Sequence, residues 1–148
     1  MSEWKSLLLE ELKRDEGLRL KAYKCTAGVW TIGYGATRYT DGKAIKQHDI
    51  VTLEEADALL RRDAEVAIKD AQKVCVCFDA LDGARKAVLG NLAYNLGATR
   101  LAGFKNTLAC ICAGDYAQAA LNMLKSKWAT QVGQRAKRLA KRMSTGEW

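Results

Sequence analysis

Glu16 stands out among the residues able to move a proton. Apolar positions Trp4, Leu8 and Leu12 recur every fourth residue, with Leu7 and Leu9 widening the stripe, and predict a first helix capped by Ser2 and ended by Gly17. The carboxyl of Glu16 then falls at the helix C-terminus, where the macrodipole is negative and the last carbonyls lack intrahelical partners. Its ionised form is disfavoured there, so the pKa should rise, and a carboxyl that keeps its proton near neutral pH suits a general acid. A solvated surface glutamate would occupy the same place, so Glu16 needs company to carry chemistry.

The five cysteines, at 25, 75, 77, 110 and 112, form one single and two C-x-C pairs. That odd number is a poor disulfide framework, and the pairs read as thiols packed as small buried hydrophobes. The chain has one histidine, His48, and Cys75-Val76-Cys77 lacks the C-x₂₋₄-C spacing of zinc sites, so no metal and no cofactor is expected.

Several elements must position these groups. After Gly17 the texture changes: Leu20 to Lys24 and Gly28-Val29-Trp30-Thr31-Ile32-Gly33-Tyr34-Gly35 are rich in β-branched and aromatic residues. With a turn at Asp41-Gly42 they predict a small antiparallel sheet of three strands ending before residue 50. Thr52-Leu53-Glu54-Glu55 has the form of a capping box and opens a helix to about Lys73. Beyond it the chain reads as wholly α. One helix starts at Asp79 or Asp82 and is stopped by Gly97. Another is capped by Asn106 and runs to Gly114, a third runs from Asp115 to about Lys125, and a last amphipathic helix carries Ala136, Leu139, Ala140 and Met143. The expected fold is α+β: a β-containing N-terminal lobe over about 14–50 and a helical C-terminal lobe over 74–148 with helix 2–13. A long helix over about 52–73 joins the lobes within one domain spanning 1–148 and leaves a cleft between them.

Composition narrows the function classes. With 148 residues, 49% hydrophobic and 28% charged, the chain can bury a core and is neither disordered nor fibrous. No apolar run approaches bilayer-spanning length, and the interrupted Leu7-Leu8-Leu9 stretch lacks a signal-peptide pattern. These features predict a cytoplasmic protein without stable membrane insertion. The net charge of +7 predicts attraction to a polyanion. From Lys125 onward seven basic residues face one acid, Glu147, which concentrates the positive field near the C-terminus.

The run from Glu16 through Cys25 to Gly28-Val29-Trp30-Thr31-Ile32-Gly33-Tyr34-Gly35 resembles the active-site segment of the T-even-type phage lysozymes, glycoside hydrolase family 24. In that family a catalytic Glu at a helix end leads into a hairpin bearing an acid or Cys nine residues on and a Thr fifteen residues on. The similarity extends to Asn91-Leu92-Ala93-Tyr94-Asn95-Leu96-Gly97, to Ala102-Gly103-Phe104-Lys105-Asn106-Thr107-Leu108, and onward through Ser126-Lys127-Trp128 and Arg135-Ala136-Lys137-Arg138. It covers almost the whole chain and is least certain between 36 and 82.

The resemblance implies a lysozyme-like fold and an endolysin that hydrolyses the β-1,4 bonds between N-acetylmuramic acid and N-acetylglucosamine in bacterial peptidoglycan. Glu16, Cys25 and Thr31 would form the catalytic set. Thr37, Tyr94, Thr107 and Asn122 would line the saccharide cleft, and Arg135 would stand near Glu16. A glycosidase needs one group to protonate the leaving oxygen and another to assist attack. Here the second is a thiol, which the nearby Lys24 and the overall positive charge would push toward thiolate. A disulfide to that thiol would silence the site. Ala36 departs from a family position where many relatives carry His, which leaves Arg135 as the strong partner for Glu16. The implied partners are peptidoglycan, and a holin through which a monomeric enzyme made in the host cytoplasm reaches the wall; nucleic acid is not among them. Two other readings stay open on sequence: a lysozyme-fold protein that binds the wall without cutting it, motivated by Cys25 and Ala36, and a basic helical nucleic-acid-binding protein, motivated by the C-terminal charge.

Overall fold

The computed structural model describes residues 2–148, which divide into two compact units. One is Ser6–Val66. The other comprises Ala67–Trp148 together with the N-terminal residues up to Lys5. The fold is α+β and lysozyme-like, with seven α-helices and one two-stranded antiparallel sheet among the described residues.

Helix α1 (Glu3–Glu16) ends where Gly17 takes φ +70°, the Gly17 amide bonding to the Lys13 carbonyl at 3.0 Å. The chain then enters β1 (Arg19–Lys24), which pairs with β2 (Trp30–Gly33) in the register Tyr23 opposite Thr31 and Lys24 opposite Trp30. The third strand expected from sequence does not form. Residues 36–50 touch the sheet through single bridges, Lys21 with Ile50 and Ile32 with Ala36, and Arg38 with Ala44 forms another within the segment. A polar, glycine-punctuated stretch offers no continuous alternating face to bury, so side chains hold it in place of a ladder. Tyr39 donates to Asp49 Oδ2 at 2.7 Å, the Lys46 amide donates to the same oxygen at 2.9 Å, and Arg62 Nη2 donates to the Arg38 carbonyl at 2.8 Å.

The capping box predicted for α2 (Leu53–Val74) is present with both reciprocal bonds. The Glu55 amide donates to Thr52 Oγ1 and the Thr52 amide to Glu55 Oε1, each at 3.1 Å. In the unit Ser6–Val66, Leu8, Leu12, Ile32, Ile45, Val51 and Leu60 are buried. Each such side chain contributes about 1.5–3 kcal/mol relative to exposure.

In the other unit, a 3-10 turn (Phe78–Ala80) precedes α3 (Gly83–Ala102), whose N-cap is Asp82 accepting from the Arg85 amide at 3.1 Å. Gly97 breaks this helix without ending it. At φ 80° and ψ 166° it interrupts the helical path, and the chain resumes for a further turn to Ala102. Helix α4 (Lys105–Cys112) starts after Phe104, so Asn106 lies inside its first turn and is not the cap. Asp115 does cap α5 (Tyr116–Lys125), accepting from the Gln118 amide at 3.2 Å. A short helix that the sequence did not announce, α6 (Lys127–Val132), is capped by Ser126 before α7 (Gln134–Thr145). All four apolar residues expected to face inward on α7 are buried, and α7 packs on α3, α5 and α6. Arg85 joins the start of α3 to the end of α7, donating to the Met143 carbonyl at 2.7 Å and the Ser144 carbonyl at 3.1 Å. No helix among the described residues is long and apolar enough to cross a membrane.

The C-x-C pairs depart from the expectation of packed thiols. Cys77 and Cys112 form a disulfide across a sequence separation of 35, while Cys25, Cys75 and Cys110 are free. The pairing crosses between the two pairs, a partnership set by the fold of α3 and α4 and invisible to local spacing.

Candidate active site

Within the unit Ser6–Val66, Glu16 closes α1 and is half-buried. The turn between β2 and Ala36 comes alongside it: a Cβ built on Gly35 would stand 4.0 Å from Glu16 Oε2. Gly35 has φ +94°, a conformation that L side chains rarely adopt, so any other residue in this turn would strain the backbone beside the carboxyl. The turn is closed by reciprocal bonds, the Ile32 amide to the Ala36 carbonyl at 2.8 Å and the Ala36 amide to the Ile32 carbonyl at 2.9 Å. The Ala36 methyl that follows this turn is buried.

Cys25 and Thr31 share the hairpin made by β1 and β2. Cys25 is half-buried and free, and its amide donates to the Val29 carbonyl at 3.0 Å. The thiol is held below its usual pKa chiefly by a hydrogen bond from the Val29 backbone N–H, then by that of Ala27, with a further bond from the Thr31 side chain; burial opposes them. The cause is thus local hairpin geometry. Lys24, expected to supply the effect, places its ammonium over the Trp30 ring, 5.4 Å from the centroid. Thr31 is buried at 4% exposure, and its hydroxyl donates to the Val29 carbonyl at 2.9 Å. A hydroxyl has one hydrogen, so Thr31 can give it to that carbonyl or to the Cys25 sulfur, and its lone pairs stay available to a water. Thr37 is exposed, its carbonyl accepting from the Ile45 amide at 3.1 Å.

The helical unit holds the other implied residues. Thr107, buried, and Asn122, half-buried, line one concavity of about 360 Å³ with Phe104, Asn106, Lys125 and Ser126. Two of the four implied saccharide contacts therefore share a pocket. Asn122 is oriented by Gln118, whose amide donates to its Oδ1 at 3.0 Å. The turn that forms the pocket wall is fixed from behind. Phe104 meets Trp128 edge-on with centroids 6.5 Å apart, and Trp128 Nε1 donates to Asn95 Oδ1 at 2.7 Å. Tyr94 lies half-buried on α3. Arg135, at the start of α7, donates through Nε at 2.9 Å and Nη2 at 2.7 Å to Oδ1 of Asn91, which is fully buried. Sequence reasoning did not assign Lys125 or Ser126 to the pocket, nor Asn91 as the anchor of Arg135. Amides and lysines on helices carry no local signature of the neighbour they meet.

Glu16 thus closes the first helix, Cys25 and Thr31 share the hairpin that follows, and Thr107 and Asn122 share a polar pocket in the helical unit. The sequence profile of the phage lysozyme family matches residues 13–145, and the chain belongs to that family. It is a lysozyme-type peptidoglycan hydrolase. The chain is 30% identical over 162 aligned positions to the probable T4-type lysozyme 2 of Dictyostelium discoideum, with 95% of each covered. It is 37% identical over 127 positions to the endolysin of Acyrthosiphon pisum secondary endosymbiont phage 1, covering 84% of this chain and 80% of that one. To the endolysin of Salmonella phage P22 it is 35% identical over 98 positions, covering 64% of each.

Proposed function

We propose that this lysozyme cleaves the β-1,4 bond between N-acetylmuramic acid and N-acetylglucosamine, with Glu16 as general acid and Cys25 and Thr31 assisting the attacking water. The observation that carries this reading is the shared hairpin: a thiol of lowered pKa hydrogen-bonded to the Thr31 side chain, reached by the chain directly after Glu16. The carboxyl of Glu16 delivers its proton to the glycosidic oxygen as the C–O bond breaks. Water attacks the anomeric carbon from the opposite face, and its proton passes to the Cys25 thiolate, whose return to Glu16 through solvent restores the resting state. Thr31 orients that water through its oxygen lone pairs.

Thr37, Tyr94, Thr107 and Asn122 contact the saccharide chain, Thr107 and Asn122 through their common pocket, and Arg135 is the supporting cation. The enzyme acts as a monomer without a cofactor. It accumulates in the host cytoplasm and reaches the wall once a holin has opened the membrane, which leads to host lysis and phage release. The family membership accounts for the Glu16 to Gly35 segment, which a basic nucleic-acid-binding protein would leave without a role.

Product analysis tests the bond assignment. Reduction of digested peptidoglycan with borohydride should convert muramic acid to muramitol. Glucosaminitol in its place would refute the assignment, and no new reducing end at all would favour a wall-binding protein that does not cut. Outer-membrane-permeabilised Gram-negative cells should clear in turbidity with the wild type; clearing by Glu16→Gln at the same rate would remove Glu16 from the mechanism.

A further inference from the structure

Three sulfur atoms from separate stretches of chain converge in the helical unit. Cys75 follows α2, Cys77 lies two residues on, and Cys112 closes α4. The sulfur of Cys75 is 3.6 Å from that of Cys77 and 3.9 Å from that of Cys112, and all three lie within 4.8 Å of one another. A disulfide between Cys77 and Cys112 leaves Cys75 as an extra thiol against the bond.

That thiol is badly placed for exchange. Attack on a disulfide runs along the extension of the S–S bond, where the attacking sulfur is much closer to one sulfur than to the other. Cys75 is nearly equidistant from both and so lies abreast of the bond. The same placement suits coordination. Thiolates about 2.3 Å from a tetrahedral zinc are about 3.8 Å from one another, the spacing Cys75 already keeps. The backbone N–H of Cys77 donates to the Cys75 sulfur and holds it in place beside the other two. Cys112 is exposed and Cys77 half-buried, which gives a reductant and a cation a way in.

We propose that once the Cys77–Cys112 disulfide is reduced, Cys75, Cys77 and Cys112 bind one soft divalent cation, zinc, as a three-thiolate site with a fourth position open to water. Two molecules of a low-molecular-weight thiol supply the two electrons and two protons. The protein S–S bond breaks, Cys77 and Cys112 become thiols, and the donor leaves as its own disulfide. The cation then displaces the thiol protons, and the two sulfurs separate from bonded to non-bonded distance. The clip between the α2–α3 connection and α4 persists in either state, as a covalent bond when oxidised and as a metal bridge when reduced.

Cadmium, whose thiolate charge-transfer absorption reports coordination, serves as the probe, with zinc measured by equilibrium dialysis. The full-length chain reduced with a phosphine should take up one cation and gain thermal stability on adding zinc. The oxidised chain should bind at least about tenfold more weakly. Cys75→Ala and the exposed-site variant Cys112→Ser, each reduced, should both lose at least about tenfold in affinity, and Cys110→Ala should keep it. The Cys112→Ser result decides the matter if Cys75→Ala does not fold. No saturable uptake by the reduced chain, equal uptake by the oxidised chain, or a loss in Cys110→Ala as large as in Cys112→Ser would overturn the proposal.

Discussion

A thiolate at Cys25 is favoured by backbone amides that the hairpin aims at its sulfur, so its acidity should survive loss of any single surface lysine. Alkylation of Cys25 by iodoacetamide, followed against pH, should show a midpoint below the ordinary 9.0 of a free thiol. Thr31→Val should move that midpoint upward by removing one donor, whereas Lys24→Gln should leave it nearly in place; a large shift with Lys24→Gln and none with Thr31→Val would contradict this cause. Cys25→Ser, which keeps a hydroxyl but no thiolate at neutral pH, should lower hydrolysis on the order of 10²-fold, the usual contribution of a positioned base. Undiminished activity would remove the thiol from the proposal. At this scale the sequence was informative where chemistry and backbone coincide. Glu16 before Gly17 placed the acid at a helix end, and the Thr31 position followed from the motif. The cause of the Cys25 shift was not legible, because charge is visible in a sequence while the direction of an amide is not.

Elements were read best where a side chain closes onto nearby backbone. Thr52 with Glu55, Asp82 and Asp115 announce their helices by bonds made within three residues, and each is found as a cap. Thr52→Ala should cost about 1 kcal/mol in urea unfolding, with no change in the wall-hydrolysis rate per folded molecule. Legibility failed where tertiary contact decides the outcome. The segment 36–50 has turn residues in plenty, yet it is pinned by Tyr39 and Asp49 in place of a third strand. Asp49 is lowered by the Lys46 amide and then by Tyr39, while burial and Asp49 push Tyr39 up to about 12. Because the folded phenol titrates above the unfolded one, its contribution to stability is complete below about pH 10 and fades as pH rises toward 12. Tyrosinate absorbance of the wild type minus that of Tyr39→Phe should reveal this late phenol; a difference curve centred on the ordinary value of 10 would refute it. Gly83 gives a sharper contrast between local and tertiary effects. Alanine is the better helix former, yet a Cβ at this position would stand 2.8 Å from the Trp4 Cβ, so Gly83→Ala should destabilise by about 1–3 kcal/mol.

For the whole molecule, the fold class was legible from periodicity and motif order, while the disulfide was not, since Cys77 and Cys112 lie 35 residues apart and are brought together by tertiary packing. Reduction in the presence of a chelator should lower unfolding free energy by about 3–4 kcal/mol, the loop-closure value for a cross-link of this span, and Cys112→Ser should show the same loss without reductant. The net charge of +7, with seven basic residues from Lys125 onward, should make any adsorption on an anionic wall salt-sensitive. Binding of a catalytically silent variant to murein sacculi should weaken steadily as salt is raised from low to physiological strength and beyond. The central claim is that Glu16 gives the proton that breaks the glycosidic bond. The most direct measurement is the initial rate of reducing-end release from purified peptidoglycan by the wild type and by Glu16→Gln, each shown by circular dichroism to be folded. The account predicts a fall of at least about 10²-fold, the lower end of what a positioned general acid supplies; equal rates from the two folded proteins would contradict it.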